Sequence, residues 1–361
     1  MINKQKTLII LTPGFPKDES DTTCIPARQI LVKALHAVNP HITIIIIAFQ
    51  YPFVKSKYKW HGVNVISFNG RNKGKLNKLI VWKNVWSTLI KIKKDHDIIG
   101  ILNFWLGECA LIGKFFAKKY KLKQYTWILG QDAKKENKYF PFINPKCNEL
   151  IALSDFIAEE FFINYCVKPK LIIPVGIDIT MFGSGFQQRD IDIMGAGSFI
   201  PLKQYDVFIE IIKELVIYFP DIKVVICGDG PEWGKLFSLI NKYNLQNNIS
   251  LPGKLLHHQV LLLMQRSKIF LHTSSFEGFG TVYAEALYAG THVIGFTKPM
   301  EKLFDHFTLV KNKKEMKNKI IGLLNNKQLN YDKVLMYPVE NIAKEILNLF
   351  TANRGTDILW S

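Results

Sequence analysis

Ser274-Ser275-Phe276-Glu277-Gly278-Phe279-Gly280-Thr281-Val282-Tyr283-Ala284-Glu285-Ala286-Leu287 is the stretch whose reading decides the fold. An apolar run, Lys268 to Leu271, precedes it, and Gly290 closes the helical pattern that opens at Thr281. A second strand-like run, His292 to Gly295, follows. Strand, glycine-bearing turn, helix and strand in this order describe one unit of an α/β domain. The turn delivers the chain to a helix N-terminus, where backbone N–H groups and the positive end of the dipole hold phosphate. Glu277 in the turn and Glu285 inside the helix each offer a carboxylate to hydroxyl groups. A hydrolytic carboxylate pair is the rival chemistry. Its carboxyls stand about 5–9.5 Å apart, whereas eight helical residues span roughly 12 Å. Two contacts on one bound ligand therefore fit better. A plain reading, with two glutamates flanking an ordinary α/β turn, stays open at this point.

Outward from this stretch the alternation continues in both directions. Upstream, Ile191–Met194 reads as a strand followed by Gly195-Ala196-Gly197-Ser198-Phe199-Ile200-Pro201-Leu202-Lys203. Tyr205–Tyr218 is helical and Lys223–Cys227 a strand. Gly228-Asp229-Gly230-Pro231 is a tight turn with proline opening the next helix. Ile249–Leu251 leads to Gly253-Lys254, and His257-His258 begin a helix. Adjacent histidines face different ways on a helix, so they are expected to be solvated or helix-terminal rather than metal ligands. Downstream, Thr308–Val310 is a strand, Lys311–Asn325 a lysine-rich helix and Ile342–Phe350 a last helix after Pro338. The first half repeats the theme: strands at Thr7–Leu11, Ile42–Ala48, Val63–Ser67, Asp97–Leu102, Gln124–Leu129 and Glu149–Leu153, with a turn at Gly14. Ser154 is placed to cap the helix after the last of these.

The organising stretch resembles the donor-site signature of family 4 retaining glycosyltransferases, the group 1 transferases of GT-B fold. The resemblance rests on the two glutamates, the Gly-Phe-Gly between them and the flanking strands. It implies two Rossmann-like α/β/α domains facing across a cleft. Expected bounds are 1–183 for an acceptor-side domain and 191–337 for a donor domain. Residues 338–361 supply a helix and tail that cross back to the first domain. Gly183–Asp190 reads as the linker. By the same resemblance Glu277 and Lys203 carry the catalysis, and the donor touches Gly14, Ser198, Lys203, Gly253, Lys254, Glu277, Gly278, Phe279, Gly280, Thr281 and Glu285. Lys203 grips the diphosphate and Glu285 the ribose. Two departures stand out: Ser198 occupies the position of the family's usual arginine, and Leu129 that of a usual histidine. Gln131 and Asp132 remain as acceptor-side candidates, with a capping role for Asp132 equally open.

With 361 residues, 48% of them hydrophobic, the chain can bury two cores. A formal charge of +17 favours an anionic partner. Much of it lies between Tyr51 and Lys94, which hold no Asp or Glu but contain Trp60, Trp82 and Trp86 among the lysines. Within Lys75–Lys94, Leu79, Trp82, Trp86, Leu89 and Ile90 share a helical face. For that helix alone a core-facing role is the simpler reading. The whole stretch, Lys55–Lys94, supports attachment to an anionic membrane surface. No nucleic-acid motif accompanies it. Five scattered cysteines argue for reduced thiols and a cytoplasmic chain, which the basic stretch would bring to the inner membrane face. No signal peptide is read before Pro13, and the longest apolar run, Ile42–Phe49, is too short to span a bilayer.

Asp95-His96-Asp97 and Asp190-Ile191-Asp192 have the form of a metal-holding Asp-x-Asp pair, but both read as structural, so no metal and no cofactor is expected. The resemblance implies a UDP- or GDP-linked sugar and a glycan or lipid-linked acceptor as the expected substrates, as in bacterial surface polysaccharide synthesis. An epimerase acting on the nucleotide sugar alone is a rival of another class, distinguished by needing no acceptor. A non-catalytic nucleotide- or glycan-binding homologue is the third reading, which Ser198 and Leu129 favour and Lys203, Glu277 and Glu285 oppose.

Overall fold

The computed structural model describes residues 4–352 apart from 184, 186, 187, 299 and 303. The chain forms two units, each built on its own sheet. In chain order the first contains β1 (Lys6–Gly14), α1 (Pro26–Val38), β2 (Thr43–Tyr51), β3 (Lys55–Trp60), β4 (Val63–Phe68) and α2 (Lys75–Asp95). It goes on through β5 (Asp97–Phe104), α3 (Glu108–Tyr120), β6 (Lys123–Ile128), α4 (Phe140–Ile143), β7 (Leu150–Ala152), α5 (Asp155–Tyr165) and β8 (Leu171–Ile172). The second contains β9 (Ile191–Ala196), α6 (Tyr205–Leu215), β10 (Val224–Cys227), α7 (Trp233–Lys242), β11 (Ile249–Gly253) and α8 (His257–Gln265). It closes with β12 (Ser267–His272), α9 (Thr281–Tyr288), β13 (His292–Gly295), β14 (Phe307–Leu309) and α10 (Lys313–Asn325). A last helix, α11 (Val339–Thr351), packs on the first unit.

The first sheet runs β3-β4-β2-β1-β5-β6-β7-β8, parallel except for β3 against β4. Its central strands are continuous apolar runs because helices cover both faces. Leu8 to Leu11 and Ile46 to Phe49 are fully buried. Val81, Val85, Leu89 and Ile92 form the buried stripe of α2 against that sheet. Ser154 caps α5, its Oγ accepting from the Ile157 N–H at 3.1 Å. Helix α11 lays Ile342, Ala343, Ile346, Leu347 and Phe350 inward. Phe350 lies edge-on to Tyr125 at 5.2 Å, and the Lys123 ammonium donates to the carbonyls of Leu349 and Ala352 at 3.1 and 2.6 Å.

The second sheet has order β11-β10-β9-β12-β13-β14, all parallel. Numbered within the unit this is 3-2-1-4-5-6, the doubly wound dinucleotide-binding order. Strand order reverses between β9 and β12. Ligands bind outside the carboxyl ends of the strands at such a point.

Several expected boundaries move. The units divide between Gly176 and Ile177 and again between Pro338 and Val339. Residues 177–183, expected in the first domain, group with the second: the Ile177 N–H donates to the Tyr337 carbonyl at 2.8 Å. The expected linker Gly183–Asp190 lies partly outside the described residues. Edge strand β3 was not foreseen, since alternating lysines mask its period. The apolar face expected on α2 also rotates. Leu79 is exposed and Trp82 and Trp86 only half-buried, while Val81, Val85 and Ile92 turn inward.

Candidate functional site

The switch point of the second sheet is where the organising stretch emerges. Strand β9 ends into the 197–203 loop and β12 into the 273–280 loop, so two neighbouring strands deliver both segments to one edge. Side chains stitch the loops together. The Thr273 hydroxyl is shared between the carbonyls of Lys203 and Gln204, both at 2.9 Å. The Ser274 hydroxyl reaches the Leu202 and Phe276 carbonyls at 3.2 and 2.9 Å, and the Ser275 N–H donates to Leu202 at 3.0 Å. These bonds bring Lys203 to Glu277, where they form an ion pair.

Glu277 has a second partner. The Nε2 of His272, the last residue of β12, lies 2.6 Å from the same carboxylate oxygen, Oε1, that Lys203 contacts. Burial alone would raise the carboxyl, but the His272 hydrogen bond and the Lys203 charge hold it at about 2. Burial pushes His272 below the usual histidine range. Since a carboxylate only accepts, the hydrogen of this bond is on Nε2. Among the described residues no donor reaches Oε2 of Glu277. Tyr283 stands edge-on to the His272 ring at 4.8 Å, and its hydroxyl bonds Thr297 at 2.7 Å.

Gly280 sits immediately before α9 with φ +69°, and no side chain caps that helix. A Cβ here would lie 2.7 Å from the Tyr283 ring. The first N–H groups of α9 are therefore offered at the loop, as an anion site requires. Glu285, one turn further, bonds His257 Nε2 at 2.8 Å. Burial lowers the affinity of His257 for its proton, but the Glu285 hydrogen bond and charge outweigh it and raise the histidine. His257, the first residue of α8, is helix-terminal as expected, and there it is partnered by Glu285. Nothing in the sequence pairs residues 28 positions apart; packing of α8 on α9 does so.

The other expected residues fall into two groups. Lys203, Glu277, Gly278, Phe279, Gly280, Thr281 and Glu285 share one edge of the second unit with Ser198, which is exposed beside Gly197. Gly253 ends β11 with φ +81°, and Lys254 after it is exposed. Gly228 and Gly230 are structural, as expected: a Cβ at Gly228 would fall 1.9 Å from the Gly197 carbonyl. Gly14, Gln131 and Asp132 belong to the first unit. Gln131 is exposed at its turn. Asp132 is not available to an acceptor. It is buried, and its carboxylate accepts from the Leu129 N–H at 2.9 Å, fastening its own turn rather than capping a helix. Burial, against the pull of that N–H and of Arg28, moves it up to about 6.

Among the described residues no group of three His, Cys, Asp or Glu is arranged to hold a metal ion. Asp190 pairs with Arg266 and Asp192 with Lys268, the latter at 2.7 Å.

Residues 177–337 match the family model described as glycosyl transferases group 1, the same span as the second structural unit. The second unit is a glycosyl transferases group 1 domain. The gpi3 subunit of phosphatidylinositol N-acetylglucosaminyltransferase from Schizosaccharomyces pombe is 31% identical over 215 residues, covering 57% of this chain and 47% of that protein. The chain spans about half the length of the curated relatives it matches. Among solved structures, Anabaena HepE in complex with UDP and glucose superposes with a TM-score of 0.70 at 15% identity, covering 97% of this chain and all of that one. S. aureus TarM, crystallised with fondaparinux, alpha-GlcNAc-glycerol and UDP, gives 0.57 at 20% identity over 78% of this chain and 60% of that one. The group 1 transferase domain thus belongs to a chain of GT-B fold, with two Rossmann-like units.

Proposed function

We propose that the chain transfers a sugar, N-acetylglucosamine or a close relative, from a UDP donor to a lipid-linked acceptor, with retention at the anomeric carbon. The observation that carries this reading is the pair of glutamates, each held by a basic partner, at the switch point of a group 1 transferase domain. Lys203 and the first N–H groups of α9 would take up charge on the departing diphosphate. Glu277 would orient the sugar through Oε2, and Glu285 would exchange His257 for the ribose hydroxyls. Similarity to the fission-yeast transferase supports N-acetylglucosamine, and two neighbours crystallised with UDP support the base. That relative's name places it on phosphatidylinositol, so a bacterial surface polysaccharide gains no support from it and the acceptor is drawn more broadly, as a lipid-linked one.

No helix among the described residues is long and apolar enough to cross a membrane. Contact with an anionic, cytoplasm-facing bilayer is part of the same proposal. Lys55, Lys57 and Lys59 alternate along β3 on one exposed face. They line an open groove of about 620 Å³ with Lys91, Asp95 and His96. Helix α2 adds an outward stripe of Leu76, Leu79, Ile80, Lys83, Lys91 and Lys94. The contact is thus made by a lysine-bearing strand and the outward stripe of α2, not by the tryptophan face.

Thermal unfolding with UDP, GDP and their sugars tests the donor site. A ligand at about 100 times its Kd adds roughly 2.7 kcal/mol to the folded state. UDP-N-acetylglucosamine should raise the melting temperature of the wild type and not that of Glu285→Ala. Equal shifts in both proteins would refute the assignment of Glu285.

A further inference from the structure

We infer that His272 is a positioning residue for Glu277: it holds the carboxylate in place when Lys203 leaves it for the donor's diphosphate. This deepens the proposed transferase reading and rests on it. In the structure both His272 Nε2 and the Lys203 ammonium meet Glu277 at Oε1. A flexible lysine stem allows its charge to turn toward a phosphate; a histidine at the end of a buried strand cannot follow. His272 is 3% exposed, wedged between Phe270 at 6.1 Å and Tyr283 at 4.8 Å. Its ring orientation is set by packing that the ligand does not touch.

The need for such a holder follows from Ser198. With a serine there, the 197–203 loop offers the diphosphate one cation, Lys203, and that cation is already committed to Glu277. If Lys203 were the carboxylate's sole partner, donor binding would leave Glu277 buried, charged and unheld. An unpartnered buried carboxylate costs far more than a neutral hydrogen bond returns. The His272 N–H removes that penalty and, by engaging Oε1, leaves Oε2 for a sugar hydroxyl. Binding of the diphosphate and orientation of the sugar are thereby assigned to different partners of one carboxylate.

The experiment compares the wild type, His272→Gln and His272→Phe by calorimetric titration with UDP and with UDP-N-acetylglucosamine. Glutamine keeps an N–H donor of similar reach; phenylalanine keeps the ring and its packing but donates nothing. His272→Phe should lose about tenfold or more in UDP affinity, because the diphosphate that draws Lys203 away then leaves Glu277 unheld, and His272→Gln should stay within about threefold of wild type. The extra affinity due to the sugar should fall further in His272→Phe, where Glu277 is no longer held, and be largely kept in His272→Gln. Equal loss in His272→Gln and His272→Phe would mark a merely structural role and overturn the inference, as would unchanged UDP affinity in His272→Phe. A ligand-free readout separates this from failure of the transferase reading. In a thermal double-mutant cycle of His272→Phe with Glu277→Gln, the two shifts should be strongly non-additive. If the wild type binds neither ligand, the donor assignment fails. The cycle then decides by itself: additivity overturns the hold of His272 on Glu277, and non-additivity sustains it.

Discussion

Replacing Gly280 by alanine should damage the second unit more than its size suggests. The residue lies at φ +69°, in the left-handed region, where a side chain costs about 1–2 kcal/mol. The added Cβ would also sit 2.7 Å from Tyr283 Cδ2. That ring is 3% exposed and is fixed by the Thr297 hydrogen bond and by its edge against His272, so it cannot swing aside. Overpacking of this kind adds about 1–3 kcal/mol. Together the two terms predict roughly 2–5 kcal/mol of destabilisation, or about 4–20 °C in melting temperature for a unit of this size. Gly322→Ala is the matched control. It is exposed in the last turn of α10 with nothing within 4 Å of its would-be Cβ, so the same change should stabilise, by about 1 kcal/mol at most. Calorimetric melting of the three proteins gives the comparison. A Gly280→Ala protein melting within about 1 °C of wild type would refute the claim that Tyr283 and the left-handed turn fix this loop.

Two other perturbations read different parts of the molecule. The pairing with Glu285 raises His257 in the folded chain, so the stabilisation is fully present below the unfolded histidine range and fades as pH rises through the folded value. Glu285→Gln should therefore lower the melting temperature more at pH 6 than at pH 9; an equal drop at both would show that the two groups are not electrostatically coupled. Changing Lys55, Lys57 and Lys59 together to glutamine should weaken binding to vesicles of anionic lipid by about 3 kcal/mol, roughly 100-fold, at about 1 kcal/mol per lysine. Sedimentation with those vesicles measures it, and unchanged binding would remove the β3 row from the proposed contact.

The sequence exposes the alternation of the fold because parallel strands covered on both faces must be apolar throughout. Ile42 to Phe49 could be little else. The glycine turns were equally legible, since Gly228, Gly230 and Gly280 stand where backbone or a ring leaves no room for Cβ. Strand β3 was hidden because an edge strand has one exposed face, and lysine at every second position reads as plain charge. The α2 face was misplaced because tryptophans weigh heavily in any apolar pattern, while the smaller Val81 and Val85 do the packing. In the site, Glu277, Lys203 and Glu285 were visible as a spaced set. His272 carried one signal, its place at a strand end five residues before Glu277. His257 carried none, because only tertiary packing brings it to Glu285. Asp132 looked like a ligand because an aspartate after a strand has the same appearance whether it faces solvent or ties down its own turn.

The return of α11 to the first unit has a consequence for synthesis. The first unit is assembled from both ends of the described chain, with the second inserted between Gly176 and Val339. At roughly 5–20 residues per second, a ribosome needs about 8–30 s to pass from one edge of the insertion to the other. Through that interval the surfaces of α1, β5 and β6 that will receive Ile346, Leu347 and Phe350 stay uncovered, and by its end the inserted unit has every strand of its own sheet. The later half of the polypeptide is thus placed to mature first, and the earlier half to wait for it.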